Sequence, residues 1–312
     1  MIDGKLIRGN ILAEKLNVYV SKQLMEISHQ FDKPKLAVIL VGDSKPSHIY
    51  VDKKVKLARS LGVNTMICYF PNDITQEQLI SKIAKLNQDR SVTAILVQLP
   101  LPKHIDSDII VNSVAVEKDV DGLHITNRGL LSAGYNNALI PCTPLGCLIM
   151  LKILCSDNLS GKKVSILGRS NLVGKPMFDL LLQENCTVTL LHSKSKNLSQ
   201  ETSQADIIVS AMGQSRMINQ EFVKKDTIII DVGINQVQSS NTRRLCGDVD
   251  LDSLEDKVKY ITPVPGGVGP MTVSCLMLNI LQLALRQQNI AQNQAIKKLY
   301  YQDFLQYYSV NR

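Results

Sequence analysis

From Leu36 onward, short β-branched apolar runs alternate with amphipathic stretches, and this alternation leaves the chain few ways to fold. The runs Leu36–Val41, Asn64–Phe70 and Thr93–Leu99 have the length of strands, and Gln76–Asn87 carries helical periodicity. A second series follows at Val164–Leu167, Thr187–Leu191, Asp206–Ala211 and Thr227–Val232. Strands this apolar belong in parallel sheets covered on both faces, and strands alternating with helices build βαβ units. Thr143-Pro144 opens a connecting helix over Thr143–Cys155. The pattern predicts an α/β protein of two lobes flanking a cleft. Its 312 residues also suit two domains.

The first lobe is expected over residues 1–140, the second over 141–270. Pro263-Val264-Pro265-Gly266-Gly267-Val268-Gly269-Pro270 enforces an irregular backbone, and an apolar helix from about Met271 to Leu285 follows. That helix, running to about 287, is expected to pack back on the first lobe. The tail 288–312 is polar with four tyrosines and shows no chemistry of its own.

The net charge of +7 is spread over basic pairs such as Lys53-Lys54 and Arg243-Arg244, aromatics are 4%, and Trp is absent. Nucleic-acid binding needs a denser basic stripe, so small anionic ligands are the better match. Seven cysteines without a CxxC argue against a disulfide framework or a zinc site and for a reducing compartment. Apolar stretches such as Cys147–Leu151 and Val273–Leu278 fall short of the roughly 20 residues of a membrane span. The start, Met1-Ile2-Asp3-Gly4-Lys5, does not resemble a signal peptide. The expectation is a soluble cytoplasmic protein.

Gly168-Arg169-Ser170-Asn171-Leu172-Val173-Gly174-Lys175-Pro176 stands between the strand Val164–Leu167 and the helical run Met177–Gln183. Glycine at such a turn lets a phosphate approach the backbone, and the helix N-terminus favours its charge. The motif is not GxGxxG; its strand–turn–helix setting is what marks the second lobe as a Rossmann-like dinucleotide-binding domain rather than one with a plain βα turn. The next strand ends in His192-Ser193-Lys194-Ser195, without the acid that an NAD site places on the ribose hydroxyls. Arg169 and Ser193 suit a 2′-phosphate, so NADP is the expected cofactor.

Pro46-Ser47 is read as the cap of a helix that Gly62 ends, on which Tyr50, Lys54, Leu57 and Leu61 share a face while Lys53 and Lys56 point elsewhere. A lysine desolvated on such a face can shuttle protons near neutrality; the competing reading is a snorkelling lysine. YxxxK also occurs in short-chain dehydrogenases, where it follows the nucleotide loop; here it precedes the loop by more than a hundred residues. Val97-Gln98-Leu99-Pro100-Leu101-Pro102 closes a buried strand, and Lys118-Asp119-Val120-Asp121-Gly122 is a charged turn. Gln98 offers a donor and an acceptor and Asp121 a paired acceptor where α/β sheets bind ligands, although either alone would be an ordinary surface residue. The five histidines lack metal spacing, and neither a G-x-S-x-G elbow nor a Walker A loop occurs.

Taken in order, these segments resemble the bifunctional methylenetetrahydrofolate dehydrogenase/cyclohydrolase family. The resemblance runs from about Asp3 to Asn279, through Ser47-His48-Ile49-Tyr50 with Lys54, VQLPLP at 97–102, KDVDG at 118–122 and PCTPLG at 141–146. It continues in GRSNLVGKP at 168–176, DVGIN at 231–235, GDVD at 247–250 and TPVPGGVGPMT at 262–272. It implies Lys54 as the catalytic lysine, assisted by Tyr50, Gln98 and Asp121, with the last three also holding the tetrahydrofolate substrate. It implies NADP against Gly168, Arg169, Ser170, Ser193 and Ile234, and Pro265, Gly266 and Gly267 along the substrate cleft. It further implies one-carbon metabolism serving purine biosynthesis, a homodimer, and no nucleic-acid or membrane partner. Lys225-Asp226 stands where the family usually has Pro-Gly, a departure that bears on that turn's shape. A non-catalytic NADP-binding scaffold would show a disrupted Tyr50/Lys54/Gln98/Asp121 set, and a shikimate-dehydrogenase-like enzyme would lack VQLPLP and PGGVGP. A family member without cyclohydrolase activity is the remaining alternative.

Overall fold

The computed structural model describes residues 2–239, 242–254, 257–288 and 300–311. The chain divides into two compact units: Leu16–Cys142 with Cys275–Arg312, and Met1–Lys15 with Thr143–Ser274. It opens with the short strands β1 (Ile2–Asp3) and β2 (Leu6–Ile7) and helix α1 (Gly9–Ser28).

The first of these units is built on β3 (Lys35–Val41), α2 (Lys45–Ser60), β4 (Asn64–Phe70), α3 (Gln76–Gln88) and β5 (Ala94–Val97), followed by α4 (Ser107–Ser113) and α5 (Ile125–Ser132). The three strands are parallel, in the order β4-β3-β5. Leu36, Val38 and Leu40 face one side of β3 and Ala37, Ile39 and Val41 the other, and all six are buried. Ala37, Ile39, Val41, Ile95 and Val97 pack with Leu79, Ile83 and Leu86 of α3, each such side chain stabilising by roughly 1.5–3 kcal/mol. Thr75 and Gln78 form a reciprocal capping box at the start of α3.

Helix α2 differs from its expected form. Its N-cap is Ser44, and Pro46 and Ser47 lie inside the first turn. The buried stripe is Ser47, Val51, Val55 and Ala58, so the Tyr50, Lys54 and Leu57 face flanks the core instead of forming it. Lys54 is half-buried there, while Lys53 and Lys56 are exposed.

The other unit follows α6 (Cys142–Leu154) with β6 (Lys163–Leu167), α7 (Gly174–Gln183), β7 (Thr187–Leu191), α8 (Leu198–Thr202), β8 (Ile207–Ser210) and β9 (Thr227–Asp231). A hairpin of β10 (Asn235–Ser239) and β11 (Thr242–Cys246) precedes β12 (Val258–Ile261). The sheet order is β1-β2-β12-β9-β8-β6-β7, parallel from β2 to β7. The opening strands thus join this sheet, through Leu6 opposite Ile261, whereas the sequence reading assigned all of 1–140 to the other lobe. Two-residue strands carry too little pattern to be assigned without their partner. Counted from β6, the five strands after α6 that belong to this sheet run 2-1-3-4-5, a doubly wound order whose reversal falls between β6 and β8. Asp226 takes the left-handed conformation (φ 65°) that glycine normally supplies, so Lys225-Asp226 still makes the turn into β9.

Two helices close the chain: α9 (Val268–Gln287) and α10 (Tyr301–Val310). Helix α9 begins three residues before the expected Met271, with Pro270 in its first turn, where the missing N–H is tolerated. At 20 residues and mean hydropathy 1.6 it is long and apolar enough for a membrane span, contrary to the sequence reading, yet 67% of that window is buried within the protein. In the tail, 289–299 lie outside the described residues; α10 buries Tyr301, Phe304 and Tyr308.

Candidate active site

The parallel register places Gln98 beside the end of β3, where its N–H continues the ladder to Ile39 O at 2.9 Å. Its side chain turns to helix α2. Lys54 Nζ donates to Gln98 Oε1 at 3.1 Å, and Gln98 Nε2 is tied to Leu99 O at 2.6 Å, so the amide presents its acceptor to the ammonium. Tyr50 lies one turn before Lys54, with its ring 37% exposed. Lys54 and Gln98 are therefore hydrogen-bonded, with Tyr50 on the same helix one turn away.

Asp121 reaches the same place by a scaffold that the sequence reading missed. A bridge between Ile95 and Asp119 docks the KDVDG turn on β5. Lys118 is buried with its Nζ donating to three carbonyls at the end of α3: Leu86 (2.9 Å), Asn87 (2.7 Å) and Asp89 (2.7 Å). Asp119, also buried, accepts from the amides of Leu123 (3.2 Å) and His124 (2.8 Å) and from Asn127 Nδ2 (2.8 Å). Charged side chains are almost never buried unless paired, so these two fix the turn that presents Asp121. Gly122 has φ 67°, and a β-carbon there would press on the Leu139–Pro141 backbone. Burial pushes the Asp121 carboxyl above the usual range, while the nearby Lys54 ammonium and the Cys142 thiol, 3.5 Å away, pull it down.

The second constellation stands at the carboxyl ends of β6, β7 and β8. Gly168 has φ 122°, and a β-carbon on it would run into the Ala211 carbonyl. A β-carbon on Gly174 would run into the Gly168 carbonyl, so the turn closes only with both glycines. Gly168 N donates to Leu191 O at 2.9 Å, which sets Arg169 and Ser193, both exposed, at adjacent strand ends. Ser170 Oγ accepts from Val173 N at 3.1 Å, and Val173, the N-cap of α7, has no side-chain acceptor to offer. Asn171 Oδ1 is buried in this turn without a hydrogen-bond partner. Two obligatory glycines, a helix N-terminus, an orphaned amide oxygen and an exposed arginine fit a phosphate-bearing dinucleotide.

Asp231 and Asp248, carried into the sequence reading only within motifs, build the neighbouring wall. Asp248 Oδ2 accepts from Ser210 Oγ (2.9 Å), Met212 N (2.8 Å) and Gly213 N (3.2 Å), and its Oδ1 from Gln214 N (2.9 Å) and Asn235 Nδ2 (2.9 Å). It thereby holds the loop after β8 open toward the switch point. Asp231 accepts from the amides of Gly233, Asp248 and Val249 at 2.9–3.1 Å. Ile234, 50% exposed, projects just past this knot. Pro265, Gly266 and Gly267 belong to this unit, where Asn10 N donates to Gly266 O at 3.2 Å, and not to the unit carrying Lys54, Gln98 and Asp121. All seven cysteines are free. No cluster of metal-binding side chains occurs among the described residues.

These features define an α/β protein with a dinucleotide site at a topological switch point and a lysine–amide–carboxylate group at the strand ends of a second sheet. Residues 7–121 match the catalytic domain, and 141–288 the NAD(P)-binding domain, of tetrahydrofolate dehydrogenase/cyclohydrolase, and the chain belongs to that family. It is 49% identical to the bifunctional protein FolD of Wolbachia pipientis subsp. Culex pipiens over 286 residues, covering 91% of this chain and 97% of that protein. It is 47% identical to FolD of Rickettsia bellii, covering 90% and 97%. The crystal structure of the bifunctional enzyme FolD from Campylobacter jejuni superposes with a TM-score of 0.87 at 41% identity, covering 90% of this chain and 98% of that one. The Trypanosoma brucei enzyme, complexed with NADP cofactor and inhibitor, gives 0.86 at 34% identity, covering 92% and 99%.

Proposed function

We propose that this enzyme oxidises 5,10-methylenetetrahydrofolate to 5,10-methenyltetrahydrofolate and then hydrolyses that product to 10-formyltetrahydrofolate. NADP, when bound, supplies the acceptor for the hydride that leaves the one-carbon bridge with its electron pair. Gly168, Ser170 and the first turn of α7 would hold its phosphates, Arg169 and Ser193 its 2′-phosphate, and Ile234 would flank it. Asp121 anchors the pterin's amino groups as a charged acceptor, and Tyr50 offers an exposed ring beside the folate.

The second reaction needs proton movement. Water adds to the methenyl carbon, the carbon–N5 bond breaks, N5 gains a proton, and one proton is released. The Lys54 ammonium is the group that gives a proton to N5 and regains one from the hydroxyl that the added water leaves on the carbon, held for this by Gln98. The observation that carries the reading is that hydrogen bond, 3.1 Å between a half-buried ammonium and a tethered amide beside Asp121. A non-catalytic scaffold does not account for an intact set of Tyr50, Lys54, Gln98 and Asp121. The reading extends to a homodimer in the cytoplasm, where free thiols persist and 10-formyltetrahydrofolate serves purine biosynthesis.

Incubation with 5,10-methylenetetrahydrofolate and NADP tests it. NADPH and methenyltetrahydrofolate absorbance should rise together, and the methenyl signal should then decay faster than in enzyme-free buffer. Absence of NADPH would refute the first activity, and decay at the spontaneous rate the second.

A further inference from the structure

The segment past residue 288 lies beyond the family match, yet its first described residue reaches the back of the site. Tyr300 Oη donates to Asn279 Oδ1 at 2.6 Å and accepts from Ile140 N at 3.3 Å. Asn279, fully buried, passes its Nδ2 hydrogens to Val120 O (2.8 Å), Ile140 O (3.0 Å) and Cys142 Sγ (3.5 Å). Cys142 Sγ in turn donates to Asp121 Oδ1 at 3.5 Å. A continuous run of hydrogen bonds therefore joins the tail to Asp121 and to the backbone just before it. Helix α10 fixes the start of that run, because Tyr301 and Phe304 are fully buried and Tyr19 packs at a tilt against Phe304 and Tyr307, at 5.7 and 5.2 Å between ring centroids. Burial pushes the Tyr300 hydroxyl well above its usual pKa, so it stays a protonated donor across the working range.

We propose that the C-terminal helix makes Tyr300 a positioning residue for substrate, setting Asp121 through Asn279 and Cys142; the inference rests on the folate reading of that site. Losing the Tyr300 hydroxyl leaves Asn279 Oδ1 buried and unpaired, and frees its amide to turn away from Val120, Ile140 and Cys142. A helix that merely added stability would leave substrate affinity untouched.

The test uses the full chain with Tyr300→Phe and Phe304→Leu, the second weakening the packing of α10 without touching Asn279. Tetrahydrofolate affinity is measured by calorimetry without cofactor, and KM for methylenetetrahydrofolate and for NADP by NADPH formation. Tyr300→Phe should weaken tetrahydrofolate binding and raise the folate KM about five- to thirtyfold, as loss of one buried hydrogen bond implies, with the NADP KM unchanged. Phe304→Leu should lower the Tm and raise the folate KM less than Tyr300→Phe does, because the Tyr300 hydroxyl is kept. Folate affinity within about twofold of the parent in folded Tyr300→Phe, or an equal loss in Phe304→Leu, would overturn the inference. A parent chain that binds no tetrahydrofolate would overturn the functional reading, and this inference with it.

Discussion

Arg169 and Ser193 stand exposed at adjacent strand ends, in turns that contain no acid. On the proposed function, a guanidinium there would interact with a 2′-phosphate and gain little from a bare ribose. Arg169→Ala should weaken NADP by about 1.5–3 kcal/mol, the worth of a hydrogen bond to a charged group, and NAD by much less. Dissociation constants for the two cofactors measure this, and equal losses would remove Arg169 from the 2′-phosphate. Asp231 makes a pH prediction. Burial raises its pKa from 3.8 to about 6, against three amide donors that pull it down and with Asp248's charge adding to the rise. A folded pKa above the unfolded value stabilises fully below about 3.8, and that contribution is lost as pH rises through about 6. The stability of the parent relative to Asp231→Asn should therefore fall between pH 4 and pH 7, by on the order of 3 kcal/mol. Urea titrations across that range check it, and a pH-independent difference would mean that Asp231 is already ionised at pH 4.

Among the elements, Lys118 ends helix α3 by satisfying the Leu86 and Asn87 carbonyls and joining Val92 N on that of Asp89, and in doing so fixes the turn before Asp121. Lys118→Met should cost about 3 kcal/mol of stability and weaken folate binding as well. A urea midpoint unchanged from the parent would show the three bonds to be dispensable. The sequence read well wherever β-branched apolar residues ran together: β3, β6 and β9 are buried runs, and β4 and β7 were legible as strands although they stand half-exposed at sheet edges. It read poorly where structure depends on a distant partner. Strands β1, β2 and β12 are two to four residues long, and the β10–β11 hairpin alternates polar residues without a core face. Helix α10 did carry a pattern, since Tyr301, Phe304 and Tyr308 fall at i, i+3 and i+7, but its polar remainder obscured it. In the site, Lys54, Gln98 and Asp121 were legible as side chains on a helix face, at a strand end and in a charged turn. Lys118, Asp119, Asp231 and Asp248 were not, because a charge buried for structural reasons reads in sequence like one on the surface.

In the whole molecule each unit presents its chemistry at the carboxyl ends of a parallel sheet, so a common geometry serves two tasks. One sheet holds two obligatory glycines at a strand-to-helix turn, and beside the other a lysine is held on a tethered amide. The two activities then make different demands. Hydride transfer asks the chain for alignment, whereas ring opening also asks for a group that gains and loses a proton. Lys54→Met separates these demands, since methionine keeps the length and helix propensity of lysine but cannot titrate. The decisive measurement is methenyltetrahydrofolate hydrolysis by this variant, corrected for the spontaneous reaction and set beside its NADPH formation. The account predicts a loss of about 10²–10⁴-fold in hydrolysis with a smaller loss in NADPH formation, so that methenyltetrahydrofolate accumulates. Hydrolysis at the parent rate in a folded variant would contradict it and leave Lys54 as a surface lysine beside Gln98.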